Sequence, residues 1–184
     1  MKKIIATFIL LSAVLFSGCA SETQSGGGYI NVTAGDFVFR VPEGAVFTDN
    51  STDDMVHLVY KIEKGSDYYG FNIGTADKET GQKSYNYTID LMENYGGNVW
   101  KQLGLTDDSS SSDEQEANIQ KRDITSLGGK DVSLGMEYSI EFDDVHYIVT
   151  ECFVDDKYYE LLYLSKGTDD LTAWDNFLSS IKPL

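Results

Sequence analysis

Through most of the chain apolar and polar positions alternate with a period of two, and twice the period changes to three or four. Residues 29–33 and 37–41 form a first pair of predicted strands joined by Ala34-Gly35-Asp36. Phe37, Phe39 and Val41 share one face. Pro42-Glu43-Gly44 ends the second strand, because proline has no ladder donor. Residues 55–63 alternate Val56, Leu58, Tyr60 and Ile62 against Met55, His57, Val59 and Lys61, which predicts a strand with one buried face. A Gly65-Ser66-Asp67 turn leads to a strand over 68–75. The period then lengthens. Ser84 is the expected N-cap of an amphipathic helix carrying Tyr85, Thr88, Ile89, Met92 and Tyr95, closed by Gly96-Gly97. Residues 99–103 read equally as a short strand or as a stretch packing Trp100 under the helix. Residues 106–115 are polar throughout and predict an exposed loop. A strand over 118–127, a Gly128-Gly129-Lys130 turn and three long strands over 132–142, 145–154 and 158–164 follow. Their connections, Asp143-Asp144 and Asp155-Asp156-Lys157, are good hairpin chemistry. Thr168 is the expected N-cap of a last helix, with Asp169 and Asp170 in its first turn and Leu171, Trp174, Phe177, Leu178 and Ile181 on one face; Pro183 closes the chain.

The front of the chain has a different pattern. Lys2 and Lys3 precede an apolar run over 4–16, broken only by Thr7 and Ser12, and the small pair Ser17-Gly18 follows. The run is shorter than the roughly 20 residues that span a bilayer. Leu15-Phe16-Ser17-Gly18-Cys19 resembles a bacterial lipobox, with Phe16 at the position usually held by Leu. The resemblance implies cleavage between Gly18 and Cys19 and a diacylglyceryl group on the Cys19 thiol. Residues 1–18 are then a signal peptide, and 19–28 a lipidated cysteine followed by a flexible Gly/Ser-rich tether. Fully stretched, that tether reaches about 30 Å. A single domain occupies 29–184. Each buried methylene of an acyl chain contributes about 0.8 kcal/mol, so two or three chains hold a protein stably on a membrane.

Charge and cysteine count narrow the class. The chain carries −16 net; removing residues 1–18, which hold Lys2 and Lys3 and no acids, takes it to −18. That balance argues against nucleic acid as a partner, and against a flat orientation on anionic lipid. It suits a well-solvated extracellular surface. With Cys19 lipidated, Cys152 is the remaining cysteine of two, and no intramolecular disulfide can form. Cys152 lies in the strand-like run Val149-Thr150-Glu151-Cys152-Phe153-Val154 and is expected to be a buried, inert thiol.

The order of elements is similar to one known group. Phe37-Val38-Phe39-Arg40-Val41-Pro42-Glu43-Gly44 opens the domain. Leu127-Gly128-Gly129-Lys130 precedes a three-strand meander, and Phe177-Leu178-Ser179-Ser180-Ile181-Lys182 ends the last helix. Together these resemble the PsbP-like fold, which the photosystem extrinsic protein PsbP shares with a Ran-binding nuclear import factor and many bacterial lipoproteins. The resemblance implies an α+β domain, an antiparallel β-sheet flanked by helices in an α/β/α sandwich, and a binding or assembly role. It carries no functional residue onto a particular position here.

Candidate chemistry is sparse. Gly81-Gln82-Lys83-Ser84 lacks the spacing of a phosphate loop, since Gln82 separates Gly81 from Lys83. His57 and His146 each sit in a strand without a second histidine at metal spacing. Asp-Asp pairs recur at 53–54, 107–108, 143–144, 155–156 and 169–170. The pairs at 143–144 and 155–156 flank the same strand and should lie at its opposite ends, which disfavours a shared calcium site. The 12 tyrosines suit half-buried sheets, the alternative being an exposed recognition surface. No catalytic, metal or cofactor residue is assigned, and no cofactor is expected. The expected function is that of an envelope lipoprotein with a non-catalytic binding or assembly role. It is exported and anchored through diacylglyceryl-Cys19 to the outer side of the cytoplasmic membrane, or to the outer membrane of a diderm cell. A protein partner at the envelope is expected. The alternatives are a hydrolase-type enzyme using acids or Cys152, and a calcium or small-molecule binder.

Overall fold

The computed structural model describes residues 28–95, 118–142, 144–167 and 171–184. The signal segment, Cys19, the tether, residues 99–103, the polar stretch 106–115, Asp143 and Thr168-Asp169-Asp170 lie outside the described residues. The architecture is α+β. In chain order the elements are β1 (Tyr29–Ala34), β2 (Phe37–Pro42), β3 (Val46–Asp49), β4 (Met55–Lys64), β5 (Asp67–Asp77), α1 (Lys78–Tyr95), β6 (Asn118–Asp123), β7 (Ser126–Leu127), β8 (Lys130–Asp131), β9 (Leu134–Phe142), β10 (Val145–Val154), β11 (Lys157–Lys166), α2 (Thr172–Ser180) and β12 (Lys182–Pro183).

Seven strands form the central sheet in the order β3-β4-β5-β11-β10-β9-β6, and every neighbouring pair is antiparallel. The middle strands are covered on both faces. Residues 158–165 of β11 are all buried, a continuous run where a half-exposed strand would alternate. Tight turns join them. Asp155 and Asp156 take φ of +48° and +62°, the left-handed pair of a two-residue hairpin turn, which aspartate tolerates better than most residues.

One face of the sheet is covered by α1. Its inward side chains, Tyr85, Thr88, Leu91 and Met92, meet Met55, Val59, Tyr147, Phe153 and Leu162. The opposite face is covered by a second, smaller sheet of order β1-β2-β12 together with α2. Phe37, Phe39 and Val41 of β2 are fully buried there, as their shared face predicted. Phe177 of α2 is the hub of this layer. It stacks on Phe71 at 4.7 Å, Trp174 at 5.5 Å and Phe39 at 5.8 Å. Truncating such a buried ring costs about 3–5 kcal/mol. The flanking layer is thus a small sheet plus a nine-residue helix, where the sequence pattern predicts helix alone.

Other expectations need correction. The strand 55–63 is buried on both faces where its alternation suggests one: Met55 and Val59 pack into the α1 layer with His57 buried on the same face, while Tyr60 is buried in the opposite layer with Leu58 packed beside it, and Val56 is exposed. The strand expected over 118–127 breaks at Ile124. β6 joins the large sheet, and β7 pairs with β8 in a separate ribbon. The α2 helix begins later than Thr168, at Thr172, and Leu171 offers no side-chain cap. β3 and β12 have too few residues to show a period.

Ser84 is not an N-cap. α1 starts six residues earlier, at Lys78, just after Asp77, whose carboxylate accepts the Thr80 N–H at 2.8 Å. The intervening Gly81 reads as a helix breaker, yet it sits in the helix because the backbone passes directly over Tyr158. A Cβ there would overlap the Cβ and ring of Tyr158. Gly81→Ala should therefore destabilise the domain by about 1–3 kcal/mol, although alanine favours helix by about 1 kcal/mol. A urea unfolding midpoint measures the balance, and a rise in the midpoint contradicts this packing.

Candidate functional site

Counting outward from the two hairpin turns places polar residues opposite one another inside the sheet. Two groups result, one on each face.

The first group forms the floor of a cleft. Glu137 on β9 pairs in register with Thr150 on β10 and with Arg122 on β6, so three polar side chains make one row across three strands. The Thr150 hydroxyl donates to Glu137 Oε2 at 2.7 Å, and Arg122 Nε lies 2.6 Å from Oε1. Glu137 and Thr150 are buried, whereas the Arg122 side chain is 60% exposed and reaches the rim. Above this floor is a cleft of about 280 Å³, walled by Ile124, Leu127, Leu178 and Ile181 and edged by Thr125 and Ser126. The break between β6 and β7 creates it. Val132 N–H donates to Thr125 O, and Ile124 N–H to Gly135 O, folding the segment back over the sheet. At Gly128, φ of +58° turns the chain tightly against Phe37 and Ile181, where a side chain has no room. A buried carboxylate whose two oxygens are both held is a positioned acceptor. The walls supply apolar contact, and the exposed guanidinium supplies a cation.

The second group is sealed. Glu151 on β10 and Glu160 on β11 are register partners beneath α1, and neither has any exposed surface. The Tyr158 hydroxyl donates to Glu151 Oε1 and lies 3.4 Å from Glu160 Oε2; Thr88 on α1 donates to Glu151 Oε1 at 3.0 Å. Glu151 Oε2 and Glu160 Oε1 have no hydrogen-bond partner among the described residues. The same cross-strand row continues through Gly74 to His57. Burial raises both carboxyl pKa values. That of Glu151 is pushed up to about 7, opposed by the hydroxyls of Tyr158 and Thr88. That of Glu160 is held well above its ordinary value, with the nearby Glu151 charge adding to burial. Burial lowers the pKa of His57, opposed by a hydrogen bond with Asn72, so its imidazole is neutral at neutral pH. Two adjacent buried carboxyls do not ionise together cheaply, and the pair titrates as a unit.

The other sequence candidates fall outside both groups. Cys152 is fully buried on the face opposite Glu151, and burial pushes its thiol up to about 12, the Glu151 charge adding to this. It is the inert core thiol expected. The tyrosines are mainly core residues: Tyr158, Tyr159 and Tyr163 are fully buried, with Tyr158 on the α1 face and Tyr159 on the other. Asp144 and the Asp155-Asp156 pair lie at opposite ends of β10, and Asp155 and Asp156 are ion-paired with Lys130 and Lys78. Lys83 and Ser84 belong to α1, not to a loop. Among the described residues no group of three or more His, Cys, Asp or Glu side chains is placed to hold a metal ion. No helix among them is long and apolar enough to cross a membrane. Cys19 and Gly18 lie outside the described residues. Neither Arg122–Glu137–Thr150 nor Glu151–Glu160 stands out in the linear pattern. The available signal is that each pair is equidistant from its hairpin turn. No protein-family model and no curated protein sequence matches the chain.

The carboxyl pair makes stability depend on pH. Both groups have folded pKa values above the unfolded carboxylate value, so the native state binds more protons. Stability is then fullest below about pH 4 and is lost as pH rises through about 7. The loss should be on the order of 2–3 kcal/mol between pH 5 and pH 8. Thermal melts should show a falling midpoint over that window, and Glu160→Gln, which keeps the shape without the charge, should flatten the fall. An unchanged slope in that variant contradicts the assignment. Cys152 should resist a water-soluble thiol reagent at pH 8 until the protein unfolds; rapid labelling of the native protein contradicts its burial.

Proposed function

We propose that the protein is a lipid-anchored envelope lipoprotein with a PsbP-like domain, and that it works by binding rather than by catalysis. Signal cleavage between Gly18 and Cys19 leaves diacylglyceryl-Cys19 in the outer leaflet, and the tether holds the domain beside the bilayer. The observation that carries the binding role is the contrast between the two polar groups. Arg122, Glu137 and Thr150 satisfy one another at the floor of an open, apolar-walled cleft, the composition of a recognition site. The groups with perturbed proton affinity or nucleophilic atoms, Glu151, Glu160 and Cys152, are sealed in the core, where no substrate meets them. Confinement to a membrane surface raises the effective concentration of the cleft against other membrane components, so a weak site suffices. The occupant best matched to the cleft is an apolar side chain or short segment of an envelope protein, with a hydrogen-bonding or anionic group positioned for Arg122.

Two substitutions test this reading. Cys19→Ala should move the protein from the membrane fraction to the soluble fraction; retention at the membrane contradicts the anchor. A photo-crosslinker at Ser126 on the cleft edge, in intact cells, should capture a discrete neighbour that Arg122→Ala weakens by about tenfold, the size of a lost charge-assisted contact. Capture that is indifferent to Arg122 and Glu137→Gln contradicts the cleft as the binding site.

A further inference from the structure

The helix α1 is held to the sheet differently from the way the strands hold one another. Among the described residues no backbone hydrogen bond joins α1 to a strand. β10 and β11 share ten register pairs, and β11 and β5 share ten more. The side chains that fix α1 form two stripes. Tyr85, Leu91 and Met92 enter the apolar layer, where the Tyr85 ring meets Phe153 at 5.7 Å. Gly81, Ser84 and Thr88, at spacings of three and four, form a small and polar stripe. Gly81 lies over the Tyr158 ring, Ser84 sits against the Tyr158 hydroxyl, and Thr88 donates to Glu151 at 3.0 Å. The polar stripe therefore rests on the Tyr158, Glu151 and Glu160 cluster, with the Thr88–Glu151 bond as a buried tie between helix and sheet.

Beneath that stripe nothing offsets the charge the two carboxyls would carry. They belong to one cross-strand row that runs Asp123, Met136, Glu151, Glu160, Gly74, His57 from β6 to β4. The β6 end of the row is a further carboxylate, and at the β4 end the His57 imidazole is neutral at neutral pH. From α1 the pair is faced by Ser84, Tyr85, Tyr87 and Thr88, and from β9, β10 and β11 by Tyr138, Tyr147 and Tyr158. β5 adds Asn72 beside Gly74. Lys121 of β6, one row along, lies over the Tyr138 ring and is paired with Glu93 at the surface. Register partners have Cβ atoms about 5 Å apart, so ionising both glutamates sets like charges side by side in a dry layer. One oxygen of each already lacks a hydrogen-bond partner among the described residues.

We propose that α1 is a pH-operated cover: when Glu151 and Glu160 ionise, α1 lifts from the sheet as a unit and uncovers the apolar face of Met55, Val59, Tyr147, Phe153 and Leu162, while the strands stay paired. This device depends on neither the cleft nor the anchor. Lifting lets water and counterions reach the carboxylates at the loss of the Thr88–Glu151 bond, whereas parting β10 from β11 breaks a ten-residue ladder. Such local openings lie below global unfolding in free energy. α1 contains Gly81, Asn86, Thr88 and Ile89, all poor helix formers, so its order comes from packing on the sheet. The apolar stripe opposes opening and keeps the cover shut while the carboxyls are protonated. Because the shut state binds those protons more tightly than the open state, opening is suppressed in acid and grows as pH rises. Burial holds the shut-state pKa at about 7 for Glu151 and higher for Glu160. Below those values each proton released on opening raises the opening equilibrium about tenfold per pH unit.

Hydrogen exchange on the full-length protein at pH 6 and pH 8, corrected for the intrinsic pH dependence of amide exchange, tests the cover. The amides of 83–92 should open at least about tenfold more often at pH 8 than at pH 6. At both pH values they should exchange at least about tenfold faster than the amides of β10 and β11. Combining Glu151→Gln with Glu160→Gln should remove the pH response of 83–92, with continued protection of β10 and β11 reporting a folded variant. A pH response that persists in that folded variant overturns the role of the pair. Wild-type amides of α1 that exchange at the same rate as those of β10 and β11 at pH 8 show that the domain opens only as a whole, and overturn the cover. Wild-type exchange in 83–92 that is equal at the two pH values overturns it as well. The two wild-type outcomes decide between cover and no cover even where the double variant does not fold.

Discussion

The pairing of β10 with β11 is the constraint on which the rest of the structure depends. These two strands lie inside a seven-stranded sheet and are covered on both faces, so every side chain they project must be placed in a dry layer. On one side the dry layer is closed by α1, on the other by the small sheet and α2. Apolar residues satisfy that demand directly. The polar ones, Glu151, Glu160 and Thr150, call for neutralisation or hydrogen bonds, because an isolated buried charge costs far more than a domain's whole stability margin. On the α1 face burial favours the protonated carboxyls and Tyr158 donates to Glu151, leaving one oxygen of each carboxyl without a hydrogen-bond partner among the described residues, and on the other face Thr150 donates to Glu137.

A sheet sealed on both faces has little surface left for function except its ends and rims. An opening of about 280 Å³ arises where β6 stops pairing and the chain folds back as the β7–β8 ribbon, and that is where Arg122 reaches the surface.

Much of this was legible in the linear pattern. The strands β1, β2, β4, β5, β9, β10 and β11 and both helices could be read because each carries its period for long enough to show, and the Asp155-Asp156 turn from its residue types. The burial of Phe37, Phe39, Val41 and Cys152 and the opposite facing of Tyr158 and Tyr159 could be read from parity and residue type along the strand. What could not be read was decided by tertiary contacts. Gly81 looks like a boundary, and only its passage over Tyr158 explains a glycine inside α1. Met55, His57 and Val59 looked like the wetter face of β4 until α1 covered them. The small sheet was hidden because β12 is two residues long and pairs with a strand more than a hundred positions away. The cleft required three strands in register, and local sequence carries only the turn between two of them.

The proposed anchoring and its gain from confinement both depend on modification of one atom, the Cys19 sulfur. Mass spectrometry of the N-terminal peptide of protein extracted from membranes tests that atom directly. The account predicts a mature chain that begins at Cys19 and carries the added mass of a diacylglyceryl group on its sulfur. A mature chain that begins elsewhere, or that begins at Cys19 with an unmodified thiol, contradicts it.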